Sequence, residues 1–377
     1  MIRHFLLVAT LAALNPLAGF SQTQTIDVPF TSHDGYPMFG KLTVPDTTSA
    51  HPVVIYVQTA EGATVDMKRP LGRNATFNYY DLYREKLPEM NVGFFSYEGR
   101  GIRMGDAPPR YEAIDTDVYN TSTLENKVRD ILSAIEVVKR QKGVNPDRIL
   151  LMGASEGTLL CADAAARAPA DVKGLILYGV LSSTLKDMLT YMAADASFLN
   201  INAMFDTDKD GKTSRAEFDA DPGKNREQAL KGVTFETLDV SSDGFVTVDD
   251  LRILRKPILD GIAANNYDVI DAFLKQTSVV SLPKGWVQDH FAHPPMWSVL
   301  SRLSIPVGLF QGNADRNTPA SGTRNLEEQA KAAGKTNLEF HYFDGLDHSL
   351  GIAVWFARKT LPEGHKAIFE FIQRQTR

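Results

Sequence analysis

The chain has 377 residues, 43% hydrophobic and 23% charged, with 27 glycines, 19 prolines and a single cysteine. That profile excludes a disordered, collagen-like or disulfide-built protein, and a net charge of −6 leaves no basic excess for nucleic acid. The length fits two domains or one large α/β domain carrying an insertion, and lone Cys161 excludes an internal disulfide.

In chain order, Arg3 and His4 precede an apolar run, Phe5 to Leu14, followed by Pro16, Ala18, Gly19 and Ser21. A charged start, a short apolar core and a small-residue exit predict an export signal over residues 1–21, leaving a periplasmic or secreted chain from about Gln22. The run is shorter than the ~20 residues of a membrane span, and no cysteine near the cut offers a lipid anchor. Strands are then predicted at Pro52–Val57 and Asn91–Ser96. A helix follows with Leu124, Val128, Ile131, Ile135 and Val138 on one stripe. Asn145-Pro-Asp turns the chain into a strand over Arg148–Met152. Further strands are predicted at Val172–Val180, Ile305–Gln311 and Leu338–Phe343, with helices at Ser321–Ala333 and around His365–Gln373. Strand–helix alternation with short connections predicts a mostly parallel sheet with helices on both faces.

Gly153-Ala-Ser-Glu-Gly157 directly follows the strand ending at Met152 and opens an apolar helix. A nucleophile on such a turn needs a glycine two residues to either side, where side chains would clash. The turn makes Ser155 the candidate nucleophile, with the amide of Glu156 facing a developing oxyanion. A serine needs a base and an orienting acid. Gln311-Gly-Asn-Ala-Asp315 and Gly345-Leu-Asp-His348 both follow strand C-termini, where the loops of a parallel sheet converge. His348 is the candidate base and Asp315 its carboxylate, with Asp344 in reserve. Asp347 adjoins His348 but would need an awkward reversal to reach the ring.

These segments resemble the exported bacterial α/β-hydrolases of the esterase and serine-peptidase type whose nucleophile turn reads G-x-S-E-G. The resemblance spans Thr25–Leu181 and Lys284–Arg377. It includes Tyr97-Glu-Gly-Arg-Gly101, similar to that family's D-x-R-G loop, and Ile305-Pro-Val-Gly-Leu-Phe-Gln-Gly312, similar to its seventh strand. It implies a triad of Ser155, Asp315 and His348. Where the family has H-G or G-S-G, this chain has Gln58-Thr-Ala-Glu-Gly62, so the second oxyanion amide is assigned to Ala60.

The charge is unevenly placed. Between Asn202 and Arg252 stand 12 acidic against 7 basic residues, a net of −5. Asp206-Thr-Asp-Lys-Asp-Gly-Lys-Thr-Ser-Arg-Ala-Glu217 has the spacing of an EF-hand calcium loop. Asp206, Asp208 and Asp210 stand at positions 1, 3 and 5, Gly211 at 6, the carbonyl of Lys212 at 7 and Glu217 at 12. A second loop supplies Asp239, Ser241, Asp243, the carbonyl of Phe245 and Asp250. Asp250 is one methylene shorter than glutamate, so this site is expected to be the weaker. Two calcium ions of structural role would offset the acidic island.

The expected organisation is therefore an α/β-hydrolase core over residues 22–181 and 304–377. A helical cap insertion over 182–303 would contain the EF-hand pair at about 197–254, with another helix at Pro257–Leu274. Trp286, Phe291 and Trp297 would line a substrate cleft or pack the cap on the core. The expected activity is cleavage of a small carboxylic ester, with a short peptide or a thioester as alternatives. A calcium-dependent docking or adhesion protein on a hydrolase scaffold is the competing reading, since the second loop also resembles a dockerin loop.

Overall fold

The computed structural model describes residues 23–72, 75–277 and 281–377; the expected export signal lies outside them. Eight strands form the central sheet: β1 (Gln24–Thr31), β2 (Pro37–Val44), β3 (His51–Val57), β4 (Gly93–Tyr97), β5 (Val144–Ser155), β6 (Val172–Val180), β7 (Val307–Gly312) and β8 (Leu338–Phe343). Their spatial order is β1-β2-β4-β3-β5-β6-β7-β8. Only β2 runs against its neighbours; from β4 to β8 every pairing is parallel.

Strands β3 to β7 carry β-branched and aromatic runs because both their faces are covered. On one face, Val53, Ile55, Leu151 and Leu177 pack under helices α2 (Leu124–Lys139) and α3 (Glu156–Arg167). On the other, Val54, Phe94, Met152 and Ile176 pack under α1 (Asp81–Glu89) and the C-terminal helix, Glu363–Thr376. The five predicted stripe residues of α2 are all buried, and the Thr123 side chain caps its first turn by accepting from the Asn126 amide.

The hairpin β1–β2 was not predicted. β5 also starts earlier than expected. Val144 already pairs with His51, and Asn145-Pro-Asp forms a bulge within the strand instead of a turn ahead of it. Between β6 and β7 the described residues are mostly helical. The single helix expected over Pro257–Leu274 is two, Lys256–Ala263 and Tyr267–Thr277. They are parted at Asn265, whose φ of 56° is a left-handed conformation that asparagine tolerates and a helix cannot continue. No helix among the described residues is long and apolar enough to cross a membrane.

Beneath the C-terminal strand ends the Tyr178 hydroxyl lies 2.7 Å from that of Tyr56 and 3.0 Å from that of Tyr79, while Tyr83 reaches His365 Nε2 at 3.2 Å. Burial drives the His365 pKa down to about 4. An unfolded histidine titrates near 6.5, so between those values the unfolded chain holds the extra proton. The stabilisation from keeping His365 neutral is thus complete above about pH 6.5 and lost toward pH 4, an effect of roughly 3 kcal/mol at most. Melting curves should show the Tm of His365→Phe falling less than that of the wild type between about pH 7 and about pH 4.5. Equal slopes would deny His365 this role.

Candidate active site

Ser155 ends β5 and α3 starts at the next residue, with Ser155 at φ 54° and ψ −126°. This is strained backbone for any side chain, of the kind that persists where surrounding structure enforces it. The enforcement comes from close packing. A Cβ on Gly153 would stand 2.4 Å from the Gly157 carbonyl oxygen, and one on Gly157 2.9 Å from that of Val57. Neither glycine can be replaced without moving the backbone that displays the serine.

His348 follows β8 and Asp315 follows β7, so the two loops meet at the C-terminal edge of the sheet. His348 Nδ1 lies 2.8 Å from Asp315 Oδ2. The imidazole rests on Gly179, where an added Cβ would be 2.8 Å from its ring. Gly179 adjoins Val180, the register partner of Ser155. The histidine therefore sits over the strand next to the serine. Asp315 is buried and fixed by donors on both oxygens: the amides of Asn317 and Thr318 at 2.8 and 3.0 Å, Gln311 Nε2 at 2.9 Å and Thr318 Oγ1 at 2.7 Å. Burial works to raise its pKa, but the bond to His348 and these donors outweigh it and hold the carboxyl below its ordinary value. Asp347 instead caps its own turn, accepting from the amides of Ser349 and Gly351, and Asp344 takes Asn313 Nδ2 at 2.6 Å. Neither competes for His348.

Sequence reasoning missed Gln311 and Thr318, which hold the acid, and a second group around Glu156. The Glu156 carboxylate is buried beside the nucleophile turn. Lys127 Nζ donates to its Oε2 at 2.8 Å, Trp286 Nε1 donates to Oε1 at 2.5 Å, and His290 Nε2 lies 2.9 Å from Oε1. Burial disfavours the charge, yet Lys127 and His290 more than compensate, and the pKa is held down at about 2. Lys127 also donates to the carbonyls of Thr59 and Ala60 at 3.1 and 2.8 Å. Trp286 is therefore not a cleft-lining residue but an anchor, while Phe291 and Trp297 pack against apolar clusters. Arg100 of the Tyr97–Gly101 segment joins Asp130 at 2.6 Å and Asp34 at 2.5 Å, tying the loop to α2 and the β1–β2 hairpin.

Solved structures of other proteins share this fold. They include an α/β hydrolase from Penicillium sp. sh18, at 16% identity and TM-score 0.51, matched over 94% of this chain and 99% of its own. A lipase in an open form has 15% identity and TM-score 0.52, over 94% and 98%. The chain has the α/β-hydrolase fold. The chain spans 37% of the length of a larger protein described as a dipeptidyl aminopeptidase IV from Bacteroides ovatus, which covers 96% of this chain at 12% identity and TM-score 0.49. No family description and no curated protein matches the sequence.

In the helical segment between β6 and β7, two helix–loop–helix units stand side by side. Helices Ser197–Phe205 and Arg215–Ala220 flank the first acidic loop, and Phe235–Leu238 and Val248–Leu254 the second. A short antiparallel ribbon joins the loops, Thr213 opposite Val246 and Ser214 opposite Phe245. Oxygens of Asp206, Asp208 and Asp210 lie within 4.8 Å of one another, and Asp206 Oδ1 is buried without a hydrogen-bond partner among the described residues. Glu217 is not brought into that cluster. Its Oε2 takes the Ser214 amide and its Oε1 the Thr207 amide, and these bonds hold its pKa down at about 2. In the second loop Asp239 accepts from the amides of Asp243 and Gly244, and Asp250 from those of Ser241 and Thr247. Asp243 takes the Phe245 amide at 3.0 Å, and Lys212 donates its own amide to Asp210 at 2.9 Å.

Proposed function

We propose that the chain is an exported serine hydrolase that cleaves small carboxylic esters through an acyl-enzyme. The observation that carries this reading is a serine held in strained backbone at the head of a buried helix, with a hydrogen-bonded His348–Asp315 pair over the adjacent strand. With its Nδ1–H donating a hydrogen bond to the Asp315 carboxylate, His348 keeps a lone pair on Nε2. That nitrogen takes the Ser155 proton as Oγ attacks the ester carbonyl, then returns it to the departing alkoxide. Water repeats the sequence on the acyl-enzyme. The amides of Glu156 and Ala60 are the donors proposed for the oxyanion. A lipase among proteins of this fold supports an ester substrate, and the signal-like first 21 residues support export.

The acidic loops are proposed as calcium sites. The first would use Asp206, Asp208, Asp210, the Lys212 carbonyl and Glu217, and the second Asp239, Ser241, Asp243, the Phe245 carbonyl and Asp250. Convergent carboxylate oxygens and an unpartnered buried Asp206 Oδ1 fit a hard cation that takes oxygen ligands. Calcium would neutralise this cluster and brace the helical insertion, away from the reacting atoms.

A fluorophosphonate probe tests the hydrolase reading directly. The wild type should be labelled and Ser155→Ala should not. Absence of wild-type labelling would overturn the reading. A panel of short-acyl esters and aminoacyl amides should show faster turnover of the esters.

A further inference from the structure

Lys127 is the one charged residue of α2 that reaches toward the nucleophile turn, and it takes no part in making or breaking bonds. Its ammonium has three protons and three acceptors: the Thr59 carbonyl, the Ala60 carbonyl and Glu156 Oε2. These acceptors belong to the two chain segments that carry the proposed oxyanion donors. We infer that Lys127 and Glu156 are positioning residues that set the two oxyanion amides relative to each other, and that Trp286 holds Glu156 in place from the insertion, with His290 beside it. The inference rests on the serine-hydrolase reading.

Peptide geometry supplies the first part. In a trans peptide the carbonyl and the following N–H point in opposite directions. Lys127 draws the Thr59 carbonyl toward itself, so the Ala60 N–H is turned to the far side. The loop that bears it passes beside the turn. A Cβ on Gly157 would be 2.9 Å from the Val57 carbonyl oxygen and 3.2 Å from that of Gln58. The second part concerns Glu156, whose amide is the other donor. Its carboxylate is held by Lys127 on one oxygen and by Trp286 on the other, so the peptide that donates belongs to a residue fixed at its far end.

A buried ion pair is a poor way to gain stability, since well-packed apolar residues often do as well or better. What it supplies here is direction. Trp286 and His290 stand one helical turn apart on Lys284–Ala292, which lets both reach Glu156 Oε1. The His290 Nδ1 faces the Trp286 carbonyl at 2.9 Å, which orients the ring toward the carboxylate. The insertion therefore contacts the oxyanion site through Glu156 rather than through the triad.

Lys127→Met, Glu156→Gln, the double variant and Trp286→Phe test this. Each is assayed on p-nitrophenyl acetate, by inhibition with a trifluoromethyl ketone that forms an oxyanion adduct, and by melting. Lys127→Met and the double variant should lower kcat on the order of 10- to 100-fold, the scale of a misplaced catalytic group, with KM little changed. Ketone affinity should fall by the same factor. Trp286→Phe should show a smaller loss of the same kind. The double variant removes both members of the ion pair together, the milder change where Lys127→Met does not fold, so its kinetics decide. A double variant with wild-type kcat and ketone affinity shows that the pair only neutralises itself, and overturns the inference while leaving a labelled Ser155 in place. A wild type that no fluorophosphonate labels overturns the hydrolase reading and this inference together.

Discussion

Removing the Ser155 hydroxyl is expected to lower kcat for an activated ester by roughly 10⁶-fold, and adding His348→Ala to Ser155→Ala should cost almost nothing more. The reason is that every step of the histidine follows from accepting the serine proton; without the hydroxyl no acyl-enzyme forms on which it could act again. Asp315→Asn should cost roughly 10⁴-fold. The amide would fit the same pocket, but it would place an N–H among the donors that now converge on the carboxylate and could hold His348 in the wrong tautomer. Steady-state kinetics of the two single variants and the double, checked by melting for intact folding, measure this. Losses that multiply in the double variant would mean that the residues do not act as a unit.

Calcium is expected to move stability far more than chemistry. A ligand that binds only the folded state stabilises it by about 2.7 kcal/mol at a hundred times Kd. For a chain of this size that corresponds to a shift on the order of 3–4 °C per site in the transition that includes the insertion. Chelator should lower that transition and calcium restore it. Glu217→Gln should reproduce most of the shift and Asp250→Asn less, since the shorter carboxylate has a harder reach to both oxygens of contact. Turnover of a small ester at low temperature should persist. If melting ignores both chelator and calcium, the loops are not calcium sites. If chelator stops turnover without moving the melt, the metal belongs to the chemistry.

The central strands were legible because burial on both faces leaves an unbroken apolar run. Val172–Val180 has the limits that its residues suggest. The β1–β2 hairpin was not, because β1 lies at the edge of the sheet and exposes Gln24, Thr25, Pro29 and Thr31 while burying only Val28 and Phe30. The neighbourhood of His348 and Asp315 was legible from a topological rule, since strand C-termini share one edge. The Glu156 cluster obeys no such rule. Its partners come from 29 residues upstream and 130 downstream, and only packing brings them together. One of them did leave a trace. Lys127 stands within the apolar stripe of α2, between Leu124 and Ile131, where a charge needs a buried partner. Gln311 leaves a similar trace at the end of the apolar run Val307–Phe310.

The two acidic loops lie on a stretch of chain that closes on itself. Arg252 meets Asp195 at 2.9 Å across 57 positions, and the aromatic cluster of Phe198, Phe205, Phe218 and Phe235 draws only on residues between them. A segment with its own core and adjacent ends meets the requirements for acquisition in one genetic step, because the host needs only a surface turn at which to receive it. The α/β core can thus be regarded as having a detachable accessory. A short linker from Asp195 to Arg252 should leave a chain that still folds, and the excised segment, transplanted to a turn of an unrelated scaffold, should carry with it the calcium binding proposed for the two loops.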